Sequence, residues 1–175
     1  MTESLNVRTR RISGVISTDD IIPGRYKHMH TDTSKLAQHV FENRFPGLAA
    51  TFSPNDLIVA DDTFGIGSSR EQAVSSLLAA GVRVVVAPRF GRIFFRNCWN
   101  LGLFAIEADA LCFAEGEKIV VNIAGGTLIG ADDIVHFSPP PERMLDMVAA
   151  GGLIPSVLSK VKRQPVELEG SVDHA

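Results

Sequence analysis

Directly behind a Gly-x-Gly at Gly65 and Gly67, the chain places Ser68, Ser69, Arg70 and Glu71. Two kinds of chemistry fit that order. Ser68-x-x-Glu71 has the spacing of a capping box, in which a hydroxyl and a carboxylate satisfy the first free N–H groups of a helix. The same stretch also suits an anion site. Glycines let a ligand approach the backbone, a helix N-terminus favours negative charge, and a forked guanidinium beside hydroxyls grips a carboxylate or phosphate. Capping explains Ser68 and Glu71 but leaves Ser69 and Arg70 without a task. A dinucleotide fingerprint fits poorly, because Arg70 stands where the third glycine belongs. A P-loop is excluded, since no Gly-Lys-Ser/Thr follows at the required distance.

Other residues of chemical interest lie outside that stretch. Asp19, in Ser17-Thr18-Asp19-Asp20, reads as an N-cap or Asx-turn residue, with Asp20 as the alternative cap. Lys27 and His28 sit in a polar loop containing Pro23 and Gly24. Arg89, Arg92 and Arg96 fall at i, i+3 and i+7 and form a basic stripe, the usual pattern of a solvated helix face. Cys98 and Cys112 each sit in an apolar run without a second Cys or His at metal-ligand spacing, so both read as packing residues and no metal site is expected in this chain.

The elements that must position these residues follow from periodicity. Residues 5 to 16 alternate weakly as a strand broken at Gly14. From Ser34 to Phe45, Leu36, Ala37, Val40 and Phe41 recur at helical spacing, with Ser34 as N-cap and Pro46-Gly47 as the stop. A short buried strand, Asp56 to Ala60, runs into the Gly-rich turn. A helix from Gln72 to Ala80 and a β-branched strand from Val82 to Pro88 follow it. Strand, turn, helix and strand in that order make a parallel βαβ unit. Phe90, Ile93, Phe94, Cys98 and Leu101 mark one face of a further helix ending at Gly102. Four short strands then lean the second half toward β structure, before helices at Glu142 to Ala150 and Pro155 to Val161. The tail after Gln164 has no periodicity and is expected to fray.

With 175 residues, 45% hydrophobic and 21% charged, the chain has the size and composition of one globular domain without linkers or repeats. A net charge of −3 supplies no basic field, so neither nucleic acid nor an RNA-binding role is expected. The start, Met1 to Arg11, is polar and basic with no apolar h-region, so no signal sequence is expected, and no apolar run reaches the roughly 18 residues of a membrane span. A reducing cytoplasm is the expected location.

Four stretches in order, STDDIIPGRY, FGIGSSREQA, FGRIFFRNCWNLGL and AAGGLIP, resemble the small subunits of the isopropylmalate dehydratases, the swivel domain of the aconitase superfamily. The match runs from about Ser17 to Lys160. It implies an α/β fold, a single three-layer swivelling β/β/α domain of the aconitase C-terminal type over residues 1–175. The implied activity is a hydro-lyase reaction that moves a hydroxyl between adjacent carbons of a malate-like diacid, with leucine biosynthesis as its setting. Such enzymes use a 4Fe-4S cluster as a Lewis acid. The resemblance assigns that cluster to a larger partner subunit, in a heterodimer or heterotetramer. By the same resemblance Ser68 matches an alkoxide base, Asp19 an acid that supports it, and Ser69 and Arg70 the carboxylate holders. Arg92 matches a residue facing the partner or the cleft. The family often carries Tyr-Leu-Arg where this chain has Tyr26-Lys27-His28, so Lys27 or His28 would take over an anionic contact with the substrate. Homoaconitate, citramalate and 2,3-dimethylmalate therefore stay open beside 3-isopropylmalate, and so does a non-enzymatic carboxylate sensor.

Overall fold

The computed structural model describes residues 4–26 and 32–161. In chain order its strands are β1 (Ser4–Ile12), β2 (Ile16–Ser17), β3 (Asp56–Ala60), β4 (Phe64–Ile66), β5 (Val82–Ala87), β6 (Phe104–Glu107), β7 (Lys118–Asn122), β8 (Thr127–Ile129) and β9 (Ile134–His136). The helices are α1 (Thr18–Ile21), α2 (Thr33–Ala37), α3 (Glu71–Ala79), α4 (Arg92–Leu101), α5 (Glu142–Ala149) and α6 (Leu153–Val161).

Seven strands form one sheet in the order β6-β5-β3-β1-β7-β8-β9. The β6, β5, β3 and β1 strands pair in parallel, and β7, β8 and β9 continue from β1 as an antiparallel meander. The expected βαβ unit is β3-α3-β5. Apart from Asp56 and Arg83 near their starts its strands are apolar, because helices cover both faces of this part of the sheet. The pleat sends Leu57 and Val59 to one face and Ile58 and Ala60 to the other, and so seeds two cores. One core gathers Phe41, Phe64, Leu77 and Phe94 beneath α2, α3 and the small sheet β2-β4. The other gathers Trp99, Phe113 and Val121 beneath α5. Helix α4 serves both, placing Phe94 and Cys98 in the first and Trp99 in the second.

Several local expectations change in the structure. The helix expected over Ser34 to Phe45 shrinks to α2, and Asp32, not Ser34, caps it by accepting from the Ser34 N–H at 2.9 Å. Phe41 breaks the periodic run. It takes a left-handed φ of 60°, is fully buried, and donates its N–H to the Ile21 carbonyl at 2.9 Å. Burying one aromatic outweighs continuing an amphipathic helix. The Ser68-x-x-Glu71 capping box does not form, because α3 begins two residues later than that box requires, with Arg70 at the N-cap and no side-chain cap. A capping box forms instead on α1. Ser17 accepts from the Asp20 N–H, and the Asp20 carboxylate accepts from the Ser17 N–H at 2.8 Å. The last helix starts earlier than expected, at Leu153, and the tail lies outside the described residues.

Candidate active site

The small parallel sheet builds the site. Pairing of β2 with β4 lays Ser17 beside Ile66, so the residues that follow each strand emerge together. One strand releases Thr18 and Asp19, and the other releases Gly67 to Arg70. Two glycines permit the close packing behind them. Gly65 has a φ of 79°, and a Cβ there would fall 2.3 Å from the Phe94 ring. At Gly91, just before α4, a Cβ would fall 2.2 Å from the Gly65 carbonyl oxygen. The Gly-rich turn is thus pressed against the start of α4, and a side chain at either position would push it off.

Within the site, the Arg70 guanidinium donates through Nη1 to the Asp19 carboxylate and, at 3.2 Å, to the Ile22 carbonyl. The Arg70 side chain is largely buried and that of Asp19 mostly exposed. Among the described residues no bond engages Nε or Nη2 of Arg70, so these donors are available to a ligand. Gly24 borders the same guanidinium, a Cβ there falling 3.4 Å from Nη2. Ser68 and Ser69 are exposed. The Thr18 hydroxyl donates to the Ser68 carbonyl at 3.1 Å and lies 3.4 Å from Ser68 Oγ. An exposed hydroxyl, a second hydroxyl behind it and a guanidinium with spare donors make a surface that can take a carboxylate and act on an adjacent proton.

Of the residues singled out in the sequence, Asp19, Ser68, Ser69 and Arg70 come together. Asp19 bonds Arg70, and the residue touching Ser68 is its neighbour Thr18. Sequence reasoning passed over Thr18, whose only signal was its position between the Ser17 cap and Asp19. Lys27 and His28 lie outside the described residues. The residues before that segment are anchored, for Tyr26 stacks on His39 at 3.8 Å between centroids and Arg25 lies over the Tyr26 ring. Arg92 is exposed at the first position of α4, directly after Gly91. The basic stripe is split. Arg89 precedes the helix and reaches toward Asp62 at 3.9 Å, while Arg92 and Arg96 stay on the exposed face of α4. Asp62, just upstream of the turn, is held below the usual carboxylate range, chiefly by the Thr63 N–H at 2.6 Å and then by the Thr63 hydroxyl.

The cysteines do not fit an iron-sulfur cluster. Cys98 is fully buried in the core, and that burial pushes its thiol well above the ordinary range. Cys112 is exposed, its thiol also raised, first by partial burial and then by Asp133. Among the described residues no group of three or more His, Cys, Asp or Glu is placed to hold a metal ion.

The model of the aconitase C-terminal domain matches residues 5–111. This chain belongs to the aconitase C-terminal domain family. It is 41% identical over 141 residues to 3-isopropylmalate dehydratase small subunit 2 of Archaeoglobus fulgidus, covering 79% of this chain and 86% of that protein. With the 3-isopropylmalate dehydratase small subunit of Nautilia profundicola it shares 42% over 158 residues, covering 86% and 93%. The crystal structure of a 3-isopropylmalate dehydratase from Methanocaldococcus jannaschii superposes with a TM-score of 0.84 at 29% identity, covering 91% of this chain and 96% of that one. The three-layer aconitase C-terminal fold expected from the sequence is the fold observed. Among the described residues no helix is long and apolar enough to cross a membrane.

Proposed function

We propose that this chain is the small subunit of a two-chain hydro-lyase acting on a malate-like diacid, 3-isopropylmalate first, in leucine biosynthesis. The observation that carries the reading is the convergence of Ser68, Ser69 and Arg70 where β2 and β4 end, in a chain whose relatives bear that enzyme's name. In this reading Arg70 holds a substrate carboxylate through its free Nε and Nη2, and Ser69 adds a hydroxyl donor. Ser68 takes the proton from the carbon beside that carboxylate and returns it in the hydration direction. A serine hydroxyl is a weak base in water. Arg70, with the free amides at the start of α3, supplies the preorganised positive field that lowers the cost of an alkoxide. Asp19 orients Arg70.

A partner is part of this proposal. The two cysteines of this chain cannot ligate a cluster that needs three thiolates, so the 4Fe-4S cluster belongs to a large subunit. An open site with exposed apolar neighbours, Ile66 and Ile93, suits a surface that a partner covers. Arg92 lies at the rim and would face that partner or the cleft. Lys27 and His28 would read the substrate's variable group. The cytoplasm, where such a cluster and free thiols persist, is the proposed location.

The test is co-expression with a cluster-bearing large subunit, anaerobic reconstitution, and assay of 3-isopropylmalate beside homoaconitate, citramalate and 2,3-dimethylmalate. Turnover of 3-isopropylmalate with the highest kcat/KM is expected. Preference for another of these diacids would reassign the substrate within the class. No turnover of any, together with tight diacid binding by the isolated chain, would make it a carboxylate sensor.

A further inference from the structure

Thr18 is only 1% exposed, yet its hydroxyl reaches the one residue assigned the proton transfer. Its buried hydroxyl is satisfied by the Ser68 carbonyl, and the same oxygen also lies within reach of Ser68 Oγ, so one group faces both a structural and a reactive acceptor. The position is also firmly held. Thr18 opens α1, whose capping box between Ser17 and Asp20 fixes the turn, and β2-β4 pairing sets its distance from the Gly-rich turn. Gly67 keeps the gap narrow, a Cβ there falling 3.4 Å from Thr18 Oγ1.

A hydroxyl has one proton and two lone pairs, so it can serve one acceptor at a time. With Ser68 neutral, the proton of Thr18 rests on the Ser68 carbonyl at 3.1 Å, and 3.4 Å to Ser68 Oγ is long for a hydroxyl pair. Once Ser68 is ionised, Oγ becomes the stronger acceptor, and charge-assisted bonds of this kind are both shorter and stronger. Turning the Thr18 hydroxyl about its C–O bond then moves the proton from the carbonyl to Oγ without displacing any heavy atom far. We propose that Thr18 is a positioning residue that stabilises the basic form of Ser68 by this rotation. The inference rests on the reading of Ser68 as the base. Ser68, which is exposed, first releases its own proton to solvent; the substrate C–H proton then passes to Ser68 Oγ and its electron pair stays on the substrate. Thr18 keeps its own proton throughout and turns back to the carbonyl. The bond therefore lowers the cost of reaching the ionised form of Ser68 and weakens again as the proton arrives on Oγ.

The test uses the assembled, cluster-loaded enzyme with Thr18→Val, Thr18→Ser and Ser68→Ala. Thr18→Val is expected to lower kcat by about a hundredfold, the low end of the range for losing one donor to an oxyanion, with KM changed by less than about threefold. It should also move the rising limb of the pH–rate profile to higher pH, because an unsupported alkoxide forms less readily. Thr18→Ser, which keeps the hydroxyl, should restore both. In the Ser68→Ala background, Thr18→Val should have no further effect. Thermal melting of the isolated chains checks the fold, and Thr18→Ala carries the same prediction should the Val variant not fold. A Thr18→Val enzyme with unchanged kcat and pH profile, beside an inactive Ser68→Ala, overturns this inference alone. Equal impairment of Thr18→Val and Thr18→Ser also overturns it, because shape and not the hydroxyl would then matter. An active Ser68→Ala overturns the assignment of the base as well.

Discussion

Two arginine–carboxylate groups in this molecule use the same chemistry to opposite ends. Asp56, at the start of β3, is fully buried and accepts from Arg8 Nε at 2.9 Å, Arg8 Nη2 at 2.8 Å, Arg10 Nη1 at 3.4 Å and the Ser53 N–H at 2.8 Å. Arg10 makes three further bonds, one to Glu115 and two to Thr51. This network ties β1, β3, the 3-10 turn at Leu48–Thr51 and the segment before β7 into one block. The Arg70–Asp19 pair also spans distant parts of the chain, but the Asp19 carboxylate is mostly in water and Arg70 commits one nitrogen. A guanidinium with most of its donors committed holds a fold, whereas one with donors to spare is available to bind. Charge type alone does not separate the two roles. Burial and saturation do.

The sharpest way to break this comparison is Asp56→Ala. It strands two arginines, one of them buried, and should cost about 3–5 kcal/mol of stability in a denaturant titration. A loss below about 1 kcal/mol would mean that the network is not what ties β1 to β3. Next, Arg70→Lys should leave stability nearly unchanged while raising KM more than about tenfold in the assembled enzyme, since an ammonium cannot reproduce a two-pronged grip. An equal change in melting temperature and in KM would put Arg70 in the structural class with Arg10. Asp19→Asn should shift stability by less than about 1 kcal/mol, the ordinary worth of an exposed pair. Its effect on KM should fall with added salt if the carboxylate acts through charge.

The smallest effect concerns acid. Asp62 has a folded pKa below its unfolded one, so it contributes stability above the unfolded value, and that contribution is lost as pH falls through the folded value. Asp62→Asn should therefore flatten the low-pH end of the stability curve slightly. A stability curve that steepens on removing Asp62 would reverse the sign argued from its bonds to Thr63.

Much of the fold was legible in the chain because the signals were local and strong. Asp56 to Ala60 and Val82 to Ala87 read as buried strands from runs of apolar, largely β-branched residues, and α3 between them from its spacing, since two-sided burial selects apolar residues beyond the first positions, where Asp56 and Arg83 stand. The α2 region misled because its apolar period was real but served another purpose. Phe41 enters the core from a left-handed turn, and no local rule anticipates that. At the site, Ser68 and Glu71 had capping-box spacing, but where α3 begins is decided by the docking of the Gly-rich turn on α4.

By itself the sequence determined the residue types of the site, its place after a strand, and the family to which the chain belongs. It also supplied two cysteines, one fewer than the three thiolates of the family's cluster. Tertiary structure alone decided which groups touch. It set Asp19 on Arg70, brought Thr18 to Ser68 across fifty residues of chain, and left Nε and Nη2 of Arg70 without a bond among the described residues. The physical reason is that each of these contacts is set by a strand register, β2 on β4, and by backbone approaches that only glycine permits. Periodicity along a chain carries information about its own face, and says nothing about the register between two segments that meet only after folding.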